Sequence, residues 1–507
     1  MVIHRMTNCI LALGLVCTLA GCANQSAPAI SLPDESSAST SQPAQPEVTA
    51  IPFTLAYYPN YSVHPALAEN RANLTLAPLL YESLFTLDSS FRATPQLCTS
   101  YTTSEDGLIW TFTLHPGISF SDGTPLTGSA VADALRTALG AGSRYAGRIS
   151  GLQSITGSEL DVTITLTQPN GSLPVLLDIP IALGTGPTPA GTGPYVLNSE
   201  RATPQLTARN DWWQKTSLPF QTIHLAAIQQ ADDLIAAFDS GAVTLLAADL
   251  MATNALGYSG SYEAWDYNTS TLIYLGFNTA KGYCSNPQVR KALSLGIDRE
   301  SIATIPYARH AAPSSLPFHP DSPLFNQTLA DQSDYDPDSL VAALAGFPHQ
   351  QKPLKLVVNS ENNAKTATAE YIAYQLEAAG LTVEVQKLPW DSYLAALANG
   401  SFDLYLAEVM LTADFDLSAL LSTSGKLNYG RWSDPETDTL LTGLRTAGDD
   451  QRALSATLLL THLNEQVPIS PICFKHDSVL TQWGRLSGLN PVQNNVFYDL
   501  PSWVFTR

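Results

Sequence analysis

The sequence predicts an α/β protein, and two patterns support this. Between residues 355 and 406, segments of strand length alternate with segments of helical periodicity in the order β-α-β-α-β. Parallel strands need crossover connections, so this order predicts a parallel or mostly parallel sheet covered by helices. Nearer the N-terminus, strands with period-two alternation of apolar side chains predict a smaller α+β unit.

The elements of the β-α-β-α-β segment can be placed in order. Its predicted strands lie at residues 356–358, 383–385 and 402–406. Ala369, Ile372 and Leu376 recur at helical spacing, and Gly380 stands where a helix C-terminus favours a left-handed residue. The second helix begins near Asp391.

The smaller unit has hairpin character. A turn at residues 105–107 precedes a strand at 110–114, and a further strand is predicted at 160–166. An alanine-rich helix is expected between them, from about residue 129 to 139.

The predicted sheet also suggests a binding site. Ligands of open parallel sheets bind beyond the carboxyl ends of the strands. The loop expected after strand 402–406 runs from Glu408 to Asp416 and contains three acids and no base. Asp414 and its neighbours are therefore candidate ligand-binding residues.

The first 49 residues have the composition of export and tethering segments. Residues 1–21 combine a basic start with a short apolar run, which predicts a signal peptide. Residues 19–22, Leu-Ala-Gly-Cys, resemble a bacterial lipobox and predict lipidation of Cys22. Residues 23–49 are rich in Ser, Pro, Ala, Thr and Gln without aromatics, which predicts a disordered linker.

Charge and cysteine usage exclude several classes of function. The formal net charge is −20, so nucleic acid is not an expected partner. Cys98, Cys284 and Cys473 lie far apart in sequence and show no metal-ligand spacing. They are predicted to be buried thiols, with one disulfide plus a free thiol as the alternative.

Several motifs in order along the chain resemble one protein family. They are Leu80-Tyr81-Glu82-Ser83-Leu84, Ser104-Glu105-Asp106-Gly107, Trp110-Thr111-Phe112-Thr113-Leu114, Phe120-Ser121-Asp122-Gly123-Thr124-Pro125-Leu126, Gly191-Thr192-Gly193-Pro194-Tyr195, Trp212-Trp213, Leu275-Gly276-Phe277-Asn278, Val289-Arg290-Lys291-Ala292-Leu293 and Ile297-Asp298-Arg299-Glu300. Together they resemble the family 5 extracellular solute-binding proteins of ABC importers, which include dipeptide, oligopeptide and nickel receptors.

The resemblance implies a two-lobed periplasmic-binding-protein-like fold with mixed sheets, an extra α+β subdomain in lobe one and a hinge between the lobes. Lobe one is expected at residues 50–270 plus 478–507, with its subdomain at about 85–192, and lobe two at 271–477. The hinge strands are expected near residues 274–278 and 473–476. Arg290, Asp298 and Arg299 are expected to form ion pairs that fix a helix.

The resemblance also implies roles for particular residues. Peptide-binding relatives place an aspartate against the ligand ammonium in a loop that corresponds here to Asp414 and Asp416, although Leu417 stands where the pattern has proline. Lys365 lies near the place where dipeptide-binding relatives hold a basic residue against the ligand carboxylate. The candidate aromatic walls of the cleft are Tyr57, Tyr58, Trp390, Tyr429 and Trp432.

The resulting functional prediction is a monomeric, lipid-anchored, extracytoplasmic receptor that delivers peptides to ABC permease subunits. Alternatives are a receptor for a nickel chelate, haem or oligosaccharide, or a peptide-sensing lipoprotein uncoupled from transport. No cofactor is expected, and His64, His310, His319 and His476 do not cluster in sequence, which argues against a metal site. The sequence contains none of the common hydrolase, zinc-protease or nucleotide-binding motifs, so no enzymatic activity is predicted.

Overall fold

The computed structural model describes residues 52–200, 203–253, 255–348 and 350–506. The predicted signal peptide, Cys22 and the linker lie outside the described residues.

The strands are numbered in chain order. They are β1 (Thr54–Tyr57), β2 (Phe85–Leu87), β3 (Ala93–Pro95), β4 (Cys98–Thr103), β5 (Ile109–Leu114), β6 (Leu152–Gly157), β7 (Asp161–Leu166), β8 (Tyr195–Asn198), β9 (Gln205–Ala208), β10 (Thr222–Ala227), β11 (Leu245–Ala248), β12 (Tyr262–Phe277), β13 (Ala311–Pro313), β14 (Leu354–Asn359), β15 (Val383–Leu388), β16 (Leu404–Met410), β17 (Ile469–Gln482), β18 (Leu486–Ser487) and β19 (Val504–Phe505).

The α-helices are numbered in the same way. They are α1 (Arg71–Thr75), α2 (Ala77–Leu80), α3 (Gly128–Leu139), α4 (Ala231–Asp239), α5 (Pro287–Leu295), α6 (Arg299–Thr304), α7 (Gln327–Asp331), α8 (Pro337–Leu344), α9 (Asn363–Ala378), α10 (Trp390–Asn399), α11 (Ser418–Leu421), α12 (Pro435–Thr446) and α13 (Asp449–Gln466).

One eleven-stranded mixed sheet organises most of these elements. Its strand order is β15-β14-β16-β12-β17-β11-β1-β10-β9-β8, with β13 pairing β17 off this path. Strands β14, β15 and β16 form one parallel group, and β1, β10 and β11 form another. The long antiparallel strands β12 and β17 stand between the two groups.

The direction of the strands brings the two parallel groups end to end. Successive antiparallel pairings from β11 through β17 and β12 to β16 make β11 and β16 run in opposite directions. Strand β11 ends where Ala248 pairs with Ser478, and β16 ends where Met410 pairs with Thr271. Between these points the β12–β17 register shifts, from Asn268 opposite His476 to Leu272 opposite Phe474. The carboxyl ends of both groups therefore meet near this irregularity.

The predicted β-α-β-α-β order is confirmed by β14, α9, β15, α10 and β16, whose strands are parallel. Gly380 has the expected positive φ, at 95°. The last strand is longer than predicted, because it pairs with β12 from Leu404 to Met410. Glu408 consequently lies within a strand instead of a loop.

The smaller α+β unit is also present. Strands β4, β5, β7 and β6 form a four-stranded antiparallel sheet, and α3 packs on it through Val131 and Leu135. Thr127 caps the N-terminus of α3, and its side chain accepts a hydrogen bond from Ala130 N. The side chains of Phe112 and Ile164 are fully buried between helix and sheet.

Two buried arginines of the motifs at residues 289–293 and 297–300 form contacts that differ from the prediction. Arg290 donates to the carbonyl oxygens of Cys284 and Val467, at 3.0 and 2.9 Å. Arg299 donates to Pro471 O at 2.7 Å and to neighbouring hydroxyl oxygens. In the described part of the chain their hydrogen-bond partners are carbonyl and hydroxyl groups, so the expected ion pairs are replaced by hydrogen bonds to uncharged groups. Asp298 instead caps α6 by accepting from Ser301 N.

The three cysteines of the described chain match the prediction of buried thiols. Cys98, Cys284 and Cys473 are free and buried. Burial raises the pKa of the Cys98 thiol to about 11. Such a thiol stays protonated near neutral pH and behaves as a small apolar side chain.

Candidate functional site

A cavity of about 520 Å³ lies where the carboxyl ends of the two parallel strand groups meet. This volume falls within the usual range for small-molecule sites. Its lining comes from both sides of the β12–β17 pair, with α1 and β11 on one side and α9, α10 and β16 on the other. We call it the charged cavity, after six lining residues: Arg71, Asp249, Lys365, Glu408, Lys475 and Asp477.

Lys475 is the centre of this cluster. Its side chain projects from β17, and the residue is only 4% exposed. The Nζ atom lies 2.7 Å from Asp249 Oδ2, just after β11, and 2.8 Å from Glu408 Oε1 on β16. One ammonium group thus connects three strands, including one from each parallel group.

Two further ion pairs extend the cluster. Lys365 Nζ lies 3.3 Å from Glu408 Oε2, so that carboxylate has a cation at each oxygen. The backbone N–H of Lys365 donates to the side chain of Asn362, which caps α9. On the other side, Arg71 Nη2 donates to Asp477 Oδ2 at 2.8 Å.

The ionisation of the cluster follows from these pairings. Burial raises the pKa of Glu408, but Lys475 and Lys365 outweigh burial and hold it below its ordinary value. Burial lowers the pKa of Lys475, but Glu408 and Asp249 outweigh it, so the pKa is raised. Burial raises the pKa of Asp477 to about 6, although Arg71 opposes the shift. Asp477 is therefore the group in the cluster that is closest to protonation at neutral pH.

Hydrogen bonds outside the charged cluster hold the cavity walls. Thr269 Oγ1 donates to the carbonyl oxygen of Lys475 at 2.5 Å, where the β12–β17 register is irregular. Gln493 Oε1 accepts from Ser270 N at 2.7 Å, which fixes the C-terminal segment against β12. Asn494 donates to Asp178 at 3.0 Å. These contacts orient the lining without using the charges of the cluster.

Two of the residues singled out in the sequence line the charged cavity. Lys365 is 7% exposed at its floor, and Trp390 is 50% exposed at the start of α10. The backbone N–H of Trp390 donates to Glu361 Oε1 at 2.7 Å, which positions the indole at the cavity edge. The structure therefore brings these two residues together, as members of one lining.

Asp414 and Asp416 lie elsewhere. Asp414 lines a separate cavity of about 410 Å³, between the smaller α+β unit and α13. Its carboxylate accepts from Thr412 Oγ1, and its carbonyl oxygen accepts from Arg452 at 2.9 Å. Burial raises the pKa of Asp414. Asp416 accepts from Ser418 N and Ser418 Oγ at the start of α11.

The other four aromatic candidates are also dispersed. Tyr57 is buried in the core of β1, and Tyr58 lines a second cavity beside the charged one. Tyr429 packs edge-on against Tyr405, with ring centroids 6.2 Å apart. The ring of Trp432 lies 5.4 Å from the guanidinium of Arg290.

Five members of the cluster were not proposed from the sequence: Arg71, Asp249, Glu408, Lys475 and Asp477. One pattern in the sequence points to some of them. Lys475 and Asp477 are two residues apart in a strand, so their side chains share one face. That strand overlaps the predicted hinge segment 473–476.

The described residues give no sign of a metal centre or a membrane span. In the part of the chain that the structure describes, no group of three or more His, Cys, Asp or Glu side chains is arranged to hold a metal ion. Among the helices of those residues, none combines the length and apolar character required to cross a bilayer.

Comparison with known proteins decides the family. The sequence profile of the bacterial extracellular solute-binding proteins, family 5 (middle region), matches residues 92–430. The chain belongs to this family. The glutathione-binding protein GsiB of Pectobacterium atrosepticum is 25% identical over 482 residues, covering 88% of this chain and 91% of that protein. The nickel-binding periplasmic protein of Escherichia coli is 24% identical over 388 residues, covering 68% and 72%.

Comparison with solved structures shows a shared fold. The ABC transporter substrate-binding protein CtaP of Listeria monocytogenes superposes with a TM-score of 0.73 at 19% identity, covering 90% of this chain and 99% of that structure. The predicted family and the two-lobed α/β fold with a large mixed sheet are thus confirmed.

Proposed function

We propose that this family 5 solute-binding protein captures peptides in the charged cavity and delivers them to an ABC permease. The observation that carries this proposal is the composition of the cavity, whose lining includes both cations and anions. The cations are Arg71, Arg144, Lys365 and Lys475, and the anions are Asp249, Glu408 and Asp477. A zwitterion offers an ammonium and a carboxylate to such a site. A peptide is such a zwitterion, and it also has backbone groups between its terminal charges.

The partly buried charges favour selectivity for such a ligand. Lys365 and Lys475 are each less than 10% exposed, so leaving either one unpaired is costly. A ligand carboxylate that reaches Lys365 takes up part of the pairing now provided by Glu408. A ligand that lacks charged termini forms no ion pair with the charged residues of the cavity, so these residues add nothing to its binding affinity.

We further propose that β12 and β17 form the hinge, with lobe one at residues 50–270 plus 478–507 and lobe two at 271–477. Both strands pass beside the cavity and contain the register irregularity near Asn268 and Leu272. Irregular pairing in otherwise long strands offers a place where backbone dihedral angles change during closure. Lys475 lies opposite this irregularity.

The proposal also covers the cellular location of the protein and its coupling to a transporter. Cys22 is proposed as a lipid anchor that holds the protein on the outer face of the cell membrane, as a monomer, with no enzymatic activity or cofactor. Replacement of Cys22 by Ser is expected to release the protein from the membrane fraction. Co-purification of the intact lipoprotein with two permease subunits would support import, whereas purification without them would favour the peptide-sensing alternative.

Calorimetric titration tests the choice of ligand. The purified protein is titrated with di- to pentapeptides, a nickel chelate and neutral oligosaccharides, and peptides are expected to bind. Lys475→Met is expected to weaken peptide binding by about 30-fold or more, because truncating one partner of a buried charge pair costs roughly 2–5 kcal/mol. Lys426→Met, at an exposed lysine outside the cavity, is the matched control. Binding of oligosaccharides alone would refute the peptide assignment.

A nickel chelate remains the second candidate. The relative from Escherichia coli binds nickel by name, and the lysines of the cavity suit the carboxylates of an organic chelator. The same titration separates the two ligands, since a chelate receptor binds the metal complex in preference to any peptide.

A further inference from the structure

A second cavity of about 310 Å³ adjoins the charged cavity. The two share four lining residues: Arg71, Thr75, Ala247 and Asp249. A ligand group held at Arg71 or Asp249 therefore stands at the boundary between both spaces. We call the second space the side cavity.

The walls of the side cavity are mainly apolar. Leu234 and Leu246 are buried there, and Tyr58, Leu256 and Tyr258 complete the apolar surface. Among its described lining residues, the charged side chains are Arg71 and Asp249, which are also the residues at the shared boundary. The charged groups of the side cavity are thus those that it shares with the charged cavity.

The position of the side cavity follows the same topological rule as the charged one. Tyr58 directly follows β1, and Ala248 and Asp249 stand at the end of β11, which is parallel to β1. Helix α1 supplies Ala72 and Thr75 to the lining. Space beyond the carboxyl ends of neighbouring parallel strands is the usual ligand position in such sheets.

We infer that the side cavity holds a bulky apolar side chain of the ligand whose charged groups occupy the charged cavity. The protein then selects peptides with a residue such as leucine or phenylalanine over peptides of glycine and alanine. An apolar cavity of about 150 Å³ accommodates benzene, so the side cavity has room for a phenyl group. This inference rests on the proposed function, because it assumes a peptide in the charged cavity.

The expected selectivity has a definite size. Burial of each methylene group contributes about fourfold in affinity, from roughly 0.8 kcal/mol per group. Replacing alanine with leucine in the ligand is therefore expected to strengthen binding by roughly 10- to 100-fold. A cavity already filled by a protein side chain removes this advantage.

The test compares two dipeptide series, Xaa-Ala and Ala-Xaa, in which Xaa is Ala, Val, Leu or Phe. Dissociation constants are measured by calorimetry for the wild-type protein and for Ala72→Leu, which fills the side cavity from α1. In at least one series the wild-type affinity is expected to rise from Ala to Leu. In Ala72→Leu the Leu-to-Ala affinity ratio is expected to fall close to one.

Two further variants make the result decisive. Ala248→Leu fills the same cavity from β11 and replaces Ala72→Leu if the latter fails to fold. Ala378→Leu, at an exposed site on α9, is expected to keep the wild-type ratio. Equal affinities across both series in the wild type, or an unchanged ratio in a folded filling variant, would overturn the inference and leave peptide capture intact. Failure of every peptide to bind would overturn both.

Discussion

Lys475 Nζ and Glu408 Oε1 form an ion pair of 2.8 Å that connects strands β17 and β16 at the floor of the charged cavity. Lys475 lies on β17, one of the two antiparallel strands between the parallel groups, and Glu408 lies on β16 in the group of β14, β15 and β16. The second oxygen of Glu408 contacts Lys365, and Lys475 also contacts Asp249. These six charges thus neutralise one another, and a ligand has to compete with their internal pairs. Arg144 also lines the cavity and takes no part in the pairs named above.

Glu408→Gln is expected to destabilise the protein by about 1–3 kcal/mol at pH 7. The neutral amide leaves Lys365 and Lys475 with less compensation inside a buried site. Equilibrium urea unfolding measures the change. Glu370→Gln is the matched control, because Glu370 forms a 2.6 Å pair with Lys387 in which both side chains are largely exposed. The control is expected to cost no more than about 1 kcal/mol; equal losses in both variants would contradict the prediction.

The ionisation of Asp477 makes the stability of the protein depend on pH. Its pKa is raised from 3.8 to about 6 by burial, so the folded state takes up a proton before the unfolded chain does. The ionised Asp477 therefore lowers the free energy of unfolding by its full amount above pH 6. This loss of stability disappears as the pH falls below about 4, where the carboxyl group is protonated in both the folded and the unfolded state. At pH 7 the penalty is of the order of 2–3 kcal/mol.

Asp477→Asn is accordingly expected to be more stable than the wild type at pH 7 by up to roughly 2–3 kcal/mol. The difference is expected to shrink towards zero near pH 4. Urea unfolding from pH 4 to 8 follows both proteins, with Glu105→Gln at an exposed acid of the β4–β5 turn as control. A stability difference that does not change with pH would rule out Asp477 as its source.

The sequence predicted the architecture better than the cavity, and the reason is physical. The periodicity around Ala369, Ile372 and Leu376 reports which face of a helix is buried, and this depends on neighbouring residues in the chain. The pairing of Asp249, Glu408 and Lys475 depends on three strands that are far apart in sequence. No local pattern fixes that register.

Lys365 and Asp414 illustrate the difference. Lys365 follows β14 at the start of α9, so the carboxyl-end rule for parallel strands places it near the cavity. Asp414 follows β16 by the same rule, but this strand continues to Met410 and the chain then turns towards Arg452. The extra length of β16 puts Glu408, instead of Asp414, beside the lysines.

Variants of Asp414 and Asp249 therefore test which of the two cavities binds the peptide. Asp249→Asn is expected to weaken peptide binding at least tenfold, because Asp249 contacts Lys475 inside the charged cavity. Asp414→Ala is expected to lower stability, since it removes a buried acceptor from Thr412, but to leave the peptide dissociation constant within about twofold. Calorimetry and urea unfolding of both variants measure these effects. Severe loss of binding in Asp414→Ala alone would instead support Asp414 as the ammonium anchor.

The glycines of residues 191–195 are required by a close backbone approach rather than by a special dihedral angle. A Cβ atom at Gly193 would lie 2.5 Å from the carbonyl carbon of Leu80, and one at Gly191 would lie 2.1 Å from the Leu80 oxygen. Gly193 N also donates to Leu80 O at 3.0 Å. Leu80 ends α2, the helix whose Ala77 lines the charged cavity. The turn thus positions one wall of the site.

Gly193→Ala is expected to destabilise the protein by at least about 1–3 kcal/mol, because a backbone carbonyl group cannot move aside as a flexible side chain can. Displacement of α2 is also expected to weaken ligand binding. Gly186→Ala is the control, since a Cβ atom there meets nothing within 4 Å and the change should stay within about 0.5 kcal/mol. Urea unfolding and calorimetry of the two variants measure both effects, and equal stability of the variants would show that the Leu80 contact is relieved without cost.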